Sequence, residues 1–97
     1  MDYVGEAITL MNKYLETEIK LEDTGTESYA FEVEEIDPEL IPEQYQNIIN
    51  AYTNVMTHLF AYENYYAFIL QPYDTKYDDY TLIGLVKDDR LIDYKIV

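Results

Sequence analysis

Cysteine and tryptophan are absent from this 97-residue chain, glycine and proline occur three times each, and serine and histidine once each. The missing cysteines exclude disulfides and thiolate chemistry and make an intracellular, cytoplasmic setting the expectation. Three isolated glycines form no glycine-rich phosphate loop. Ser28 and His58 stand far apart with no nucleophile motif around either, so His58 is expected to be structural or solvent-exposed. No segment approaches the ~20 apolar residues of a membrane span. The N-terminal MDYVGEAITLMNKYLE lacks the basic start and unbroken apolar run of a signal peptide. Cations are the scarcest charged class: six Lys and Arg face twenty Asp and Glu, for a net charge of −14.

What is present is almost half hydrophobic, at 48%, enough for one folded domain spanning 1–97 rather than a disordered acidic tail. The charge excess opposes binding to nucleic acid or an anionic membrane and favours a basic partner. Its distribution is uneven. Eleven acids and one base, Lys20, fall between Glu16 and Glu43, which places ten of the fourteen excess negative charges there. Between Gln44 and Tyr62 there is no Asp, Glu, Lys or Arg. A surface serving solubility alone would be more evenly spread and mixed in sign.

Val4, Ala7, Ile8, Met11, Tyr14 and Leu15 recur at helical spacing and predict a helix over 2–15. Ile19 and Leu21 alternate with charged residues before the turn residues Asp23-Thr24-Gly25-Thr26. Tyr29, Phe31 and Val33 then alternate with Ala30, Glu32 and Glu34. The pattern predicts a hairpin, or at least one strand over about 28–34 with its odd face buried and its even face acidic. Pro42 and Glu43 suit the first turn of a helix. Tyr45, Ile48, Ile49, Tyr52, Val55, Met56, Leu59 and Phe60 follow at spacings of three and four, predicting a long helix over 42–61. YYAFILQ, YTLIGLV and RLIDYKIV read as consecutive strands joined by Asp-rich turns at 73–79 and 87–89, an antiparallel meander. The expected fold class is α+β, an antiparallel β-sheet packed with two main α-helices in a single domain.

Catalytic chemistry finds little support. Asp74-Thr75-Lys76-Tyr77-Asp78-Asp79 resembles a calcium loop only superficially, because Lys76 takes a ligand position and Leu85 stands where the bidentate Glu belongs. No metal site and no cofactor are expected. Acid/base work by Glu34 and Glu35 would need a pocket that raises one carboxyl's pKa, and an exposed acidic strand gives no sign of one. Of the twelve tyrosines, Tyr29, Tyr45 and Tyr52 fit core positions, whereas Tyr62, Tyr65, Tyr66, Tyr73, Tyr77 and Tyr80 gather near strand ends and suit contacts. The protein is expected not to be an enzyme.

On a strand, Glu32 and Glu34 would project together about 6–7 Å apart, and Glu35, Asp37 and Glu39 continue the row. DNA carries one charge per ~3.4 Å along each strand, so a groove lined for phosphates would accept this row. The competing explanation is an acidic edge that prevents strand-to-strand aggregation. The run from Glu27 to Glu43 is longer than edge protection requires.

The order of these features resembles that of a known family. An acidic strand runs into Val33-Glu34-Glu35-Ile36, and Leu40-Ile41-Pro42-Glu43-Gln44-Tyr45 opens a tyrosine-bearing helix. Tyr66-Ala67-Phe68-Ile69-Leu70, Leu82-Ile83-Gly84-Leu85-Val86, an acidic turn and a last strand complete it. Over about 30–97 this resembles the staphylococcal-type uracil-DNA glycosylase inhibitor family, small acidic DNA mimics. The resemblance implies an inhibitor acting on base excision repair, carried by a phage or mobile element and monomeric when free. It implies a one-to-one complex with uracil-DNA glycosylase and no direct contact with nucleic acid or membrane. The edge strand would supply Glu32, Glu34 and Glu35 as phosphate substitutes, flanked by Glu27, Asp37 and Glu39, with Ser28, Tyr29 and Phe31 as further contacts. The leucine that the glycosylase inserts into DNA would enter an apolar pocket of Val33, Ile36, Ile41, Ile49, Tyr52, Val55 and Met56. Arg90 stands near the place of a turn contact. Tyr29 and Phe31 occupy positions where the family pattern has acids, which leaves open the strand face that meets the enzyme. The alternative is a mimic directed at a CRISPR effector, a restriction enzyme or a nucleoid protein. A small acidic protein with a structural or regulatory role is the third class, separated from both by weaker salt dependence of its binding.

Overall fold

The computed structural model describes residues 2–72 and 80–97. The first helix, α1, runs Tyr3–Leu15 as its periodicity predicts. Asp2 caps it by accepting a hydrogen bond from the Gly5 N–H at 2.9 Å. Ala7 and Met11, one turn apart, are fully buried against the sheet. Glu16 takes a left-handed conformation, φ 54°, and ends the helix. The chain then folds back because Asn12 grips the backbone of Ile19 from both sides, accepting its N–H at 2.9 Å and donating to its carbonyl at 3.2 Å.

Ile19 and Leu21 do not form a hairpin arm. Leu21–Asp23 is a 3₁₀ turn, closed by Asp23 accepting from the Lys20 N–H at 2.9 Å. The first strand, β1, is Gly25–Glu32, and Val33–Glu35 is again a 3₁₀ turn, so the expected strand ends two residues early. A further 3₁₀ turn, Pro38–Leu40, starts at Asp37, whose carboxylate accepts from the Glu39 N–H at 3.0 Å.

The expected helix over 42–61 is the largest correction. Helix α2 covers only Glu43–Ile49, and strand β2 occupies Asn54–Tyr62. Spacing was ambiguous for a physical reason. β2 lies inside a sheet with apolar layers on both faces, so residues of both parities are apolar: Val55 and Leu59 face one layer, Phe60 the other. Apolar residues at both parities imitate a 3.6-residue period. From Val55 onward the chain is rich in β-branched and aromatic residues, and pairing with a strand on each side satisfies its backbone.

The last third follows expectation. β3 is Tyr65–Pro72, β4 Leu82–Lys87 and β5 Arg90–Ile96. All neighbours are antiparallel, and the sheet order is β1-β2-β3-β4-β5. Two-residue turns join β2 to β3 and β4 to β5, with Glu63 at φ 53° in the first and Asp88 and Asp89 at φ 52° and 62° in the second. The whole 73–79 turn signal, with the Asp74–Asp79 loop inside it, lies outside the described residues.

The sheet separates two cores. α1 packs Ala7 and Met11 onto Phe60, Ala67, Ile69, Ile83 and Leu85. On the other face Ile41, Tyr45 and Ile49 meet Val55, Phe68, Leu70, Leu82 and Val86. Gly84 makes room for Phe68 there, since a Cβ on it would stand 2.3 Å from the Phe68 ring. Tyr45 is fully buried and its hydroxyl donates to the Tyr80 carbonyl at 2.8 Å. The fold is therefore α+β, with five antiparallel strands and two α-helices among the described residues. Among the described residues no helix is long and apolar enough to cross a membrane.

Candidate partner-binding face

Among the described residues β1 is an outer strand, hydrogen-bonded to β2 and to no other strand. Seven of its eight residues are exposed and Phe31 is half-buried. Its register with β2 runs from Gly25↔Ala61 to Glu32↔Asn54 without a bulge. Proline and lysine, residues that usually blunt an edge, do not occur in it. The expected burial of the odd face holds only in part: Phe31 and Val33 pack against the core, whereas Tyr29 is 41% exposed. The helical layer on that side ends before it reaches β1, and a groove remains.

That groove has a volume of about 500 Å³. Its floor is the sheet, with Phe31 from β1, Thr57 and Leu59 from β2, and Tyr66, Phe68 and Leu70 from β3. Ile36, Leu40 and Ile41, from the two 3₁₀ turns and the approach to α2, form the facing wall. Glu27, Glu35 and Asp37 add carboxylates to a mainly apolar lining that also includes Thr26, Thr57 and Tyr66. A second cleft of about 530 Å³ continues past the end of β1, between Glu32, Val33, Glu34, Ile36 and the Asn50–Thr53 turn.

The acids interact with their surroundings in distinct ways. Glu32 and Glu34 do not alternate along one strand, yet the 3₁₀ turn brings them together: a hydrogen bond to Glu34, and then the negative charges of Glu34 and Glu35, raise the pKa of the exposed Glu32 carboxyl. The Tyr29 hydroxyl donates to Glu27, which raises the pKa of the phenol. The Tyr29 and Phe31 rings lie 5.6 Å apart, so the strand presents an aromatic pair beside its carboxylates. Burial, then Asp89 and Asp37, raise the pKa of the Tyr66 hydroxyl at the groove. Asp89 precedes Arg90, so the β4–β5 turn adjoins this face, with Arg90 exposed.

The residues expected to form the apolar pocket divide. Ile36 and Ile41 line the groove. Val33 and Tyr52 line the second cleft instead. Ile49 and Val55 are sealed in the core, 3% and 0% exposed. Met56 lies opposite Ala30 and Gln71, its position in the strand alternation facing away from the groove. Thr57, Leu59, Tyr66, Phe68, Leu70 and Leu40 were missed. The alternation Tyr66, Phe68, Leu70 was legible as one strand face; Leu59 was hidden inside the apparent helix.

Ser28 and His58 are also not far apart. They face one another across β1 and β2, with Ser28 Oγ 2.7 Å from His58 Nδ1. Among the described residues His58 makes this one side-chain hydrogen bond, so the pair lacks the orienting acid of a triad. No group of three or more His, Cys, Asp or Glu among the described residues is arranged to hold a metal ion. Comparison with protein-family models, with curated proteins and with solved structures returns no match.

Proposed function

We propose that this protein inhibits uracil-DNA glycosylase by occupying its DNA-binding groove. The observation that carries the reading is the juxtaposition of an exposed, unbulged edge strand bearing carboxylates with an apolar groove on the same side. Glu27, Glu32, Glu34, Glu35, Asp37 and Glu39 stand in for phosphates, and their mutual repulsion is relieved when basic side chains approach. The groove between β1–β3 and the 3₁₀ turns receives the enzyme's inserting leucine, adding about 1.5–3 kcal/mol that charge alone does not make specific. The protein catalyses nothing in this reading; it is consumed one-to-one.

A second reading, a mimic directed at another DNA-binding protein, draws on Tyr29 and Phe31. Their rings, tilted 31° to one another, occupy positions where the resembled family carries acids. Uracil excision from a labelled oligonucleotide by a bacterial glycosylase, titrated with this protein, separates the two. Loss of cleavage near one equivalent is expected; full activity at large excess rejects the first reading.

A further inference from the structure

The outer strands of the sheet differ in how far they are closed to another strand. On β5 a register shift opposite Leu85 and Val86 disturbs the ladder, and the strand carries Arg90 and Lys95. Bulges and cationic side chains keep a sheet edge from pairing further. β1 has neither: Gly25 to Glu32 pair with β2 without a shift, and none of them is Lys or Arg. One bond fixes which of its backbone groups point outward. The Val33 N–H donates to the Thr53 carbonyl at 2.8 Å, continuing the register beyond Glu32↔Asn54 by one pair. Residues along an antiparallel ladder alternately direct their N–H and C=O at the partner and away from it. The odd residues of β1 therefore bond to β2. Thr26, Ser28, Ala30 and Glu32 turn theirs outward, where no described strand meets them.

The side chains define the strand that fits. Glu27, Tyr29 and Phe31 follow one another on the groove side, and Glu32 closes the opposite face after Ser28 and Ala30. An antiparallel strand laid here is favoured by cations opposite Glu27 and Glu32 and apolar residues opposite Tyr29 and Phe31. A second copy of β1 is a poor occupant, because it brings two more carboxylates and no cation from a chain of net charge −14. We propose that β1 takes up an extended basic segment of another protein as an added antiparallel strand. Backbone bonds then hold the segment, and its alternation of cationic and apolar side chains selects it. This goes beyond the inhibitor reading, because the occupant is a strand and no DNA-binding enzyme is required.

The test titrates the whole chain with the peptide acetyl-KVTVTKT-amide. Aligned antiparallel, its lysines fall opposite Glu32 and Glu27 and its valines opposite Phe31 and Tyr29. Hydrogen exchange followed by NMR is expected to show the Ser28 and Ala30 amides gaining protection, whereas that of Tyr29 is already protected in the free protein. N-methylation of the two threonines facing Ala30 and Ser28 should weaken binding about tenfold or more, the scale of two net hydrogen bonds. N-methylation of the two valines, whose N–H groups point away, should not. Replacing both lysines of the peptide by glutamate should abolish binding. Ala30→Pro removes an outward N–H at an edge position that tolerates proline, and should lose the peptide while staying folded. Absence of saturable binding, equal affinity for the two N-methylated peptides, or a folded Ala30→Pro protein that binds undiminished would overturn the proposal. So would protection of Ser28 and Ala30 by self-association of the free protein, followed by sedimentation. No glycosylase takes part, so failure here leaves the outcome of the excision assay untouched.

Discussion

The two edges of the sheet treat their acids in opposite ways. On β5, Asp93 is held by the protein itself: Tyr14 donates to it at 2.9 Å, the Tyr94 N–H at 2.8 Å, and Lys13 approaches to 3.3 Å. Partial burial pushes the Asp93 carboxyl up, but these partners outweigh it and hold its pKa below the ordinary value. Lys95 pairs with Glu6 at 2.9 Å, and the Tyr94 hydroxyl donates to Gln44 at 2.7 Å, tying β5 to both helices. At the end of β1 the Glu32 carboxyl instead meets Glu34 and Glu35 of the following turn, and it is raised where Asp93 is lowered. The chain has six cations, and two of them complete the β5 edge. An edge that only needed protection from aggregation would be served by the β5 arrangement. The β1 edge keeps its repulsion, which favours neutralisation from outside.

The contrast breaks most sharply at the groove. Leu59→Lys places a charge among Phe31, Phe68 and Leu70, and should weaken inhibition about 10- to 150-fold, the equivalent of losing ~1.5–3 kcal/mol of leucine burial. Met56→Lys, on the other parity of β2, should leave inhibition unchanged if the mutant folds. Titration of both in the excision assay checks this, and equal losses would move the pocket elsewhere. A smaller effect follows from exchanging the sign of the β1 edge. Glu32→Lys with Glu34→Lys should slow association about tenfold at low salt while leaving folding stability equal or higher, since the change removes like-charge repulsion. Stopped-flow binding measures the rate, and an unchanged one takes the strand out of the interface.

The smallest effect belongs to β5. Asp93 has a lowered folded pKa, so its contribution to stability is present above the ordinary aspartate range and is lost as pH falls through the lowered value. Asp93→Asn should therefore cost at most about 1 kcal/mol at neutral pH, in keeping with a largely solvent-screened contact. That deficit should close in acid. Glu32 has the opposite sign: its raised pKa makes stability fall as pH rises through it, so Glu32→Gln should not reproduce the Asp93→Asn deficit. Urea unfolding of the variants at several pH values distinguishes the two.

Much of the architecture was legible wherever one pattern had one structural meaning. α1 carries a single apolar stripe with an Asp cap, and β3 to β5 are separated by turn residues. Residues 50–62 were not legible, because a strand covered on both faces and a helix share the same spacing over this length. That ambiguity spread to the site. A helical reading of Val55, Met56 and Leu59 puts all three on one apolar stripe, whereas the strand sends Met56 to the face opposite Val55. The acids were legible as a concentration of charge. Their convergence at Glu32 and Glu34 depends on a 3₁₀ turn that no alternation announces.

The connection between β1 and β2 has a thermodynamic consequence. Residues 33–53 intervene between these strands, whereas β2 joins β3, and β4 joins β5, through two residues. Closing the long connection costs about 2 kcal/mol more chain entropy on a logarithmic scale of loop length. Among the described residues no strand lies on the outer side of β1 to offset that cost. Among the described residues β1 is thus held through β2 alone, and a strand pairing with its outer side would order it further.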